Sequence, residues 1–117
     1  MPSRLLIFAS GICGAAGVAL AAVAAHGGFS NVSDAATFLL AHAPAFLAIG
    51  LIGFNAPLRW AAALLCAGVA LFSCDLAVRD LTDDRLFAMA APAGGFMMML
   101  GWIGIAVAAF LPRRLIG

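Results

Sequence analysis

The stretch "LLIFASGICGAAGVALAAVAA", Leu5 to Ala25, has no charged residue and a single hydroxyl, that of Ser10. A helix needs about 20 apolar residues to cross the ~30 Å hydrocarbon layer of a bilayer, and this run is long enough. Its apolar residues are continuous, without the period-two alternation of a membrane strand. Three further runs follow: Ala35 to Phe54, Leu58 to Val78, and Leu86 to Leu111, the last with a shorter form beginning at Pro92. Short connections force neighbouring helices antiparallel. The sequence therefore predicts an all-α polytopic membrane protein: an antiparallel up-down bundle of four transmembrane helices, with residues 1–117 as one membrane domain.

Composition supports this. The 117 residues are 66% hydrophobic and 9% charged, with a mean hydropathy of +1.16. Soluble domains are roughly 45–50% apolar and about 25% charged. Such a chain cannot cover its surface with polar atoms in water, so the lipid bilayer is its implied partner. Lys, Glu and Tyr are absent, and the net charge is +1. Scattered arginines make no nucleic-acid footprint. Cys13, Cys66 and Cys74 all lie in apolar runs and read as small buried hydrophobes. Cys66 and Cys74, about 12 Å apart on one helix, are too distant for a disulfide, and no zinc pattern is present.

Charge sets the orientation. "HGGFSNVSD" (26–34) ends in a choice of N-cap, Ser33 or Asp34. "NAP" (55–57) places Pro57 well for a helix start, and "RDLTDDR" (79–85) joins the last two spans. The side holding both termini carries Arg4, Arg59, Arg113 and Arg114 and no acid. The other carries Asp34, Asp75, Asp80, Asp83 and Asp84 against Arg79 and Arg85. The positive-inside rule then predicts cytoplasmic termini in a bacterial inner membrane, or matrix-side termini in a mitochondrial one. A cleaved signal peptide is the competing reading of the first span. The run exceeds the ~7–15 residues of such a segment, and Ile12 before Cys13 argues against a lipoprotein site.

Helices in lipid associate through small residues and hydrogen bonds. Gly11, Ala15, Ala19, Ala22 and His26 share one face of the first span, which predicts that this helix lies at the centre of the contacts. The fourth carries Gly94, Met98, Gly101, Ile105 and Ala108, beside Gly95, Met99 and Trp102. Trp102 is expected to pack inside, whereas Trp60, next to Arg59, suits the interfacial belt. Met97 to Met99 face three directions and read as adaptable filler rather than a metal site.

The polar residues inside the spans are the candidate site. His42 sits about seven residues into the second span, roughly 10 Å deep. Asp75 and Ser73 lie near the same end of the third, and His26 ends the first. Ionisable groups within a membrane are a functional hypothesis by default. The bland reading is local: Pro44 frees the carbonyl of Leu40, Pro92 within a helix would free that of Ala88, and His42 would supply a repairing donor. Asp75 would simply pair with Arg79 at i+4. A haem between His26 and His42 fails on depth. A metal held by His26, His42 and Asp75 would need a water-completed position, and no metal or other cofactor is assigned. A proton relay lacks a group in the other leaflet. Ser73, Cys74 and Asp75, being consecutive, do not face one another as a catalytic set.

"AAHG" closing the first span, "HAPAFLAIG" in the second, "LFSCDL" in the third, and "PAGG" followed by Gly101-Trp102 in the fourth occur in this order. Together they resemble the YgdD / transmembrane protein 256 family of small bacterial inner-membrane and mitochondrial proteins, also called domain of unknown function 423. The resemblance covers nearly the whole chain. It implies four membrane helices and characteristic positions at Ala25-His26-Gly27, His42, Phe72-Ser73, Pro92, Gly94, Gly95, Gly101 and Trp102. Cys74 departs from the glycine common in the family's "FSG" motif. No reaction is implied.

Tiny loops and the lack of a soluble domain leave little room for a substrate. The expectation is a small integral membrane protein that is not an enzyme, acting as an accessory subunit of a larger respiratory or transport complex. The alternative is a binder of a lipid, quinone or other small molecule at the outer leaflet, around His26, His42, Asp75 and Trp102. A small multidrug-type transporter is disfavoured, because the first span lacks the membrane-embedded carboxylate such proteins use.

Overall fold

The computed structural model describes residues 3–53 and 55–111. Arg113 and Arg114, half of the charge assigned to the terminal side, lie outside the described residues, as does Phe54, the expected end of the second span. Four helices form: α1 (Arg4–Gly27), α2 (Ser30–Ile52), α3 (Ala56–Thr82) and α4 (Ala90–Ala108). Each is long and apolar enough to cross a membrane, and no strand occurs among the described residues.

Local chemistry sets most of the boundaries. The Ser3 hydroxyl caps α1 by accepting from the Leu6 N–H. Gly28, at φ +67°, ends it in the left-handed conformation that glycine adopts without strain. Asn55 caps α3 by accepting from the Leu58 N–H at 2.9 Å, with Pro57 in the first turn as expected. Two starts differ from the sequence reading. Helix α2 begins at Ser30, so the expected caps Ser33 and Asp34 lie inside it, and Phe29 at the cap position supplies no side-chain bond. Asp80 of α3 substitutes, accepting from the Val32 N–H at 2.8 Å and from Asn31 Nδ2 at 2.9 Å. Helix α4 begins at Ala90, not Leu86, because Met89 at φ +71° turns the chain there. Pro92 consequently sits in the first turn, where its missing N–H has no intrahelical role. It is not a kink, and it frees no carbonyl at Ala88.

The helices are antiparallel. Ser3 N–H donates to the Gly50 carbonyl at 2.7 Å, joining the start of α1 to the end of α2. The Asp80 bonds join the end of α3 to the start of α2. Gly94 and Gly101 of α4 meet Phe72 and Leu65 of α3, in reversed order. Packing follows the chain, α1 on α2, α2 on α3, α3 on α4, and the assembly is flattened, 47 × 26 × 17 Å. The core threads all four helices through Cys13, Phe46, Leu65, Val69 and Met98.

Glycines bring α3 and α4 together. A Cβ on Gly94 would stand 2.7 Å from the Phe72 nitrogen and 2.8 Å from the Gly68 oxygen, and one on Gly101 would stand 2.7 Å from the Leu65 side chain. Gly95 is looser, 3.9 Å from Phe72. The expected seam of α1 does not pack. Gly11, Ala15, Ala19, Ala22 and His26 all face outward, and a Cβ on Gly11 would meet nothing within 4 Å. The opposite face, with Leu6, Ser10, Cys13 and Gly17, meets α2, and the Ser10 hydroxyl donates to the Ala43 carbonyl at 2.8 Å. Small residues surround α1 on every side, so periodicity could not choose between the faces. The helix is therefore peripheral, not central.

Candidate functional site

His42 is buried on α2, 4% exposed. Its Nε2 lies 3.1 Å from Trp102 Nε1 on α4, and its Nδ1 lies 2.8 Å from the Phe38 carbonyl. An indole nitrogen only donates, so Nε2 must accept and Nδ1 carries the proton. The ring is a neutral imidazole with both nitrogens satisfied, flanked by Phe38, Phe46 and Trp102. It does not repair the proline site, because it donates to Phe38 rather than to Leu40. Trp102 is 43% exposed, so its ring borders lipid while its N–H points inward. The full interior packing expected for it is not observed.

Asp75 is fully buried. One carboxylate oxygen accepts from Arg79 Nη2 at 2.9 Å, one turn on, and the other from the Leu86 N–H at 2.9 Å. The acid thus ties the incoming loop of α4 to α3. This is the local i+4 pairing read from the sequence, with a backbone partner added.

His26 is exposed and bonds the Ala22 carbonyl of its own last turn at 2.8 Å. Ser73 is buried, and its hydroxyl has no hydrogen-bond partner among the described residues. Of the candidate polar residues, His42 and Trp102 are brought together by a hydrogen bond. His26, His42 and Asp75 do not converge. Among the described residues, no three His, Cys, Asp or Glu side chains are grouped to hold a metal ion.

Two apolar cavities flank these groups. One, of about 620 Å³, lies between α2 and α4 and is lined by Phe38, His42, Phe72, Arg79, Met99 and Trp102. The other, of about 820 Å³, lies between α1 and α3. Sequence reasoning missed both, along with the Asp80 cap and the Gly68–Gly94 contact. Gly68 was available as a signal, being the one glycine of the third span.

Fold and site together define a polytopic all-α membrane protein whose polar residues cap helices, bond within them and in a few places tie one helix to another. The chain belongs to the family described as Protein of unknown function (DUF423), which matches residues 13–95. It is similar to a UPF0382 membrane protein of Staphylococcus aureus (strain bovine RF122 / ET3-1), 30% identical over 92% of this chain and 96% of the relative. A UPF0382 membrane protein of Staphylococcus haemolyticus is 28% identical over the same shares, and one of Staphylococcus epidermidis is 32% identical over 78% of this chain and 83% of its own length. No solved structure matches.

Proposed function

We propose that the protein is a non-catalytic accessory subunit that docks the outward face of α1 against a transmembrane helix of a larger complex in a bacterial inner membrane. One observation carries this reading. Gly11, Ala15, Ala19 and Ala22 form a smooth small-residue face directed away from α2, and small residues are what let membrane helices approach closely. The absence of an enzyme role is part of the proposal: His42 and Asp75 have their bonding capacity committed within the fold. Cytoplasmic termini are proposed from the arginine count along the sequence, Arg4, Arg59, Arg113 and Arg114 on the terminal side against Arg79 and Arg85 on the other. The test is a photo-crosslinking amino acid placed at Ala15 in native membranes, with Phe96 of α4 as the comparison site. A discrete adduct with another membrane protein from Ala15, and none from Phe96, is the expected result. Lipid adducts alone at both sites would refute the proposal.

A second reading has its own observation, the 620 Å³ aromatic groove beside His42 and Trp102. It keeps the small-molecule alternative in narrower form: a lipid or quinone at His42, Trp102 and Arg79, without His26 and with Asp75 only as the anchor of Arg79. With Trp60 replaced by phenylalanine, Trp102 is the sole indole, and decylubiquinone should quench it saturably. A quench that rises without saturation, as for any indole facing lipid, would remove this reading. Transport has no comparable support, since α1 contains no acidic residue.

A further inference from the structure

The cavity between α1 and α3, about 820 Å³ in volume, falls in the roughly 300–1,000 Å³ range of small-molecule sites. It exists because α1 packs on α2 rather than closing against α3. Ile12 and Ala16 line it from α1, and Cys66, Val69 and Ser73 from α3. Charge borders it at one end only, at Arg59. Ser73 stands about 21 Å along α3 from Arg59, at 1.5 Å per residue.

Ser73 makes this more than a gap between helices. Its side chain is buried, 3% exposed, it borders the cavity, and its hydroxyl is unpartnered among the described residues. Buried polar groups are almost always hydrogen-bonded, and an exception calls for an explanation. The rest of the wall around it is hydrocarbon and cysteine thiol with no charged side chain, so a charged ligand group there would lack a counter-ion in a low-dielectric setting. A neutral carbonyl or hydroxyl meets the need of Ser73 without that penalty.

We propose that this cavity binds a neutral long-chain lipid whose terminal carbonyl or hydroxyl hydrogen-bonds Ser73, with its hydrocarbon tail running along α1 and α3 toward Arg59. Ile12 and Ala16 edge the α1 face that carries Ala15 and Ala19, but Ser73 is on α3, so the response of the two probes to Ser73→Ala tests this site apart from the proposed helix docking.

The experiment uses the full chain in phosphatidylcholine vesicles and two photoreactive probes. One is a diazirine-bearing geranylgeraniol, and the other is the same isoprenoid chain lacking the hydroxyl. Peptide mapping should place the alcohol on Ile12, Ala16, Cys66 and Val69. Ser73→Ala should lower labelling by the alcohol roughly 2- to 10-fold, the worth of one hydrogen bond, and leave the hydrocarbon probe unchanged. Cys66→Phe, which fills the cavity, should lower both. Labelling spread evenly onto lipid-facing residues such as Phe96 and Ile103, or a Ser73→Ala variant that changes both probes alike or neither, would overturn the proposal. If Cys66→Phe does not assemble, the contrast between the two probes on Ser73→Ala decides alone.

Discussion

Asp75 and His42 are both buried acid–base groups, yet they contribute to the fold differently. Asp75 holds a charge pair and a backbone N–H, and breaking a buried pair by removing one partner costs about 3–5 kcal/mol. Arg79 is 25% exposed and can turn toward the headgroups, so Asp75→Asn should fall near the lower end of that range. Denaturant unfolding in micelles measures it, and a loss below about 0.5 kcal/mol would mean that the charge pair with Arg79 is not stabilising, since the amide oxygen of asparagine can still accept from the Leu86 N–H. The His42–Trp102 bond is weaker. Interhelical hydrogen bonds in membranes average about 0.6 kcal/mol with a maximum near 1.7, so Trp102→Phe should cost about that much, and combining it with His42→Ala should cost less than the sum. Both residues were recognisable in the sequence as candidates, but their partners were not. Pairing depends on how each helix is rotated about its axis, and periodicity in an all-apolar run contains no such information.

Helix α4 and helix α1 carry similar glycine and alanine patterns with opposite consequences. Gly94 presses on the backbone of α3, which cannot move aside as a flexible side chain can. Gly94→Ala should cost about 1–3 kcal/mol through overpacking. Gly11→Ala, facing open space, should change stability by no more than about 0.5 kcal/mol. Equal effects at the two positions would refute the assignment of faces. The existence and order of the helices were readable from length and hydropathy alone. The start of α2 was not, because its capping group, Asp80, comes from elsewhere in the chain. Nor was the start of α4, because a positive φ at Met89 is not signalled by methionine.

The arrangement of the whole chain puts Arg4 and Arg59 at one end and the aspartates of the α3–α4 loop at the other. In a background free of native cysteine, single cysteines replacing Arg59 and Asp83 should be labelled by a membrane-impermeant maleimide from opposite sides of sealed vesicles. Labelling of both from one side would contradict four crossings. What no sequence pattern conveyed was the flattened, chain-ordered packing, because every face of each helix is apolar enough to meet either protein or lipid.

That packing bears on biogenesis. The glycine contacts of α1 with α2, and of α3 with α4, lie within hairpins whose members are neighbours along the chain. Each hairpin can therefore zip up as soon as it leaves the translocon, without waiting for a distant segment to be synthesised. The lateral meeting of the two hairpins, sealed by Asp80 reaching the first turn of α2, waits only for the end of α3 to be made.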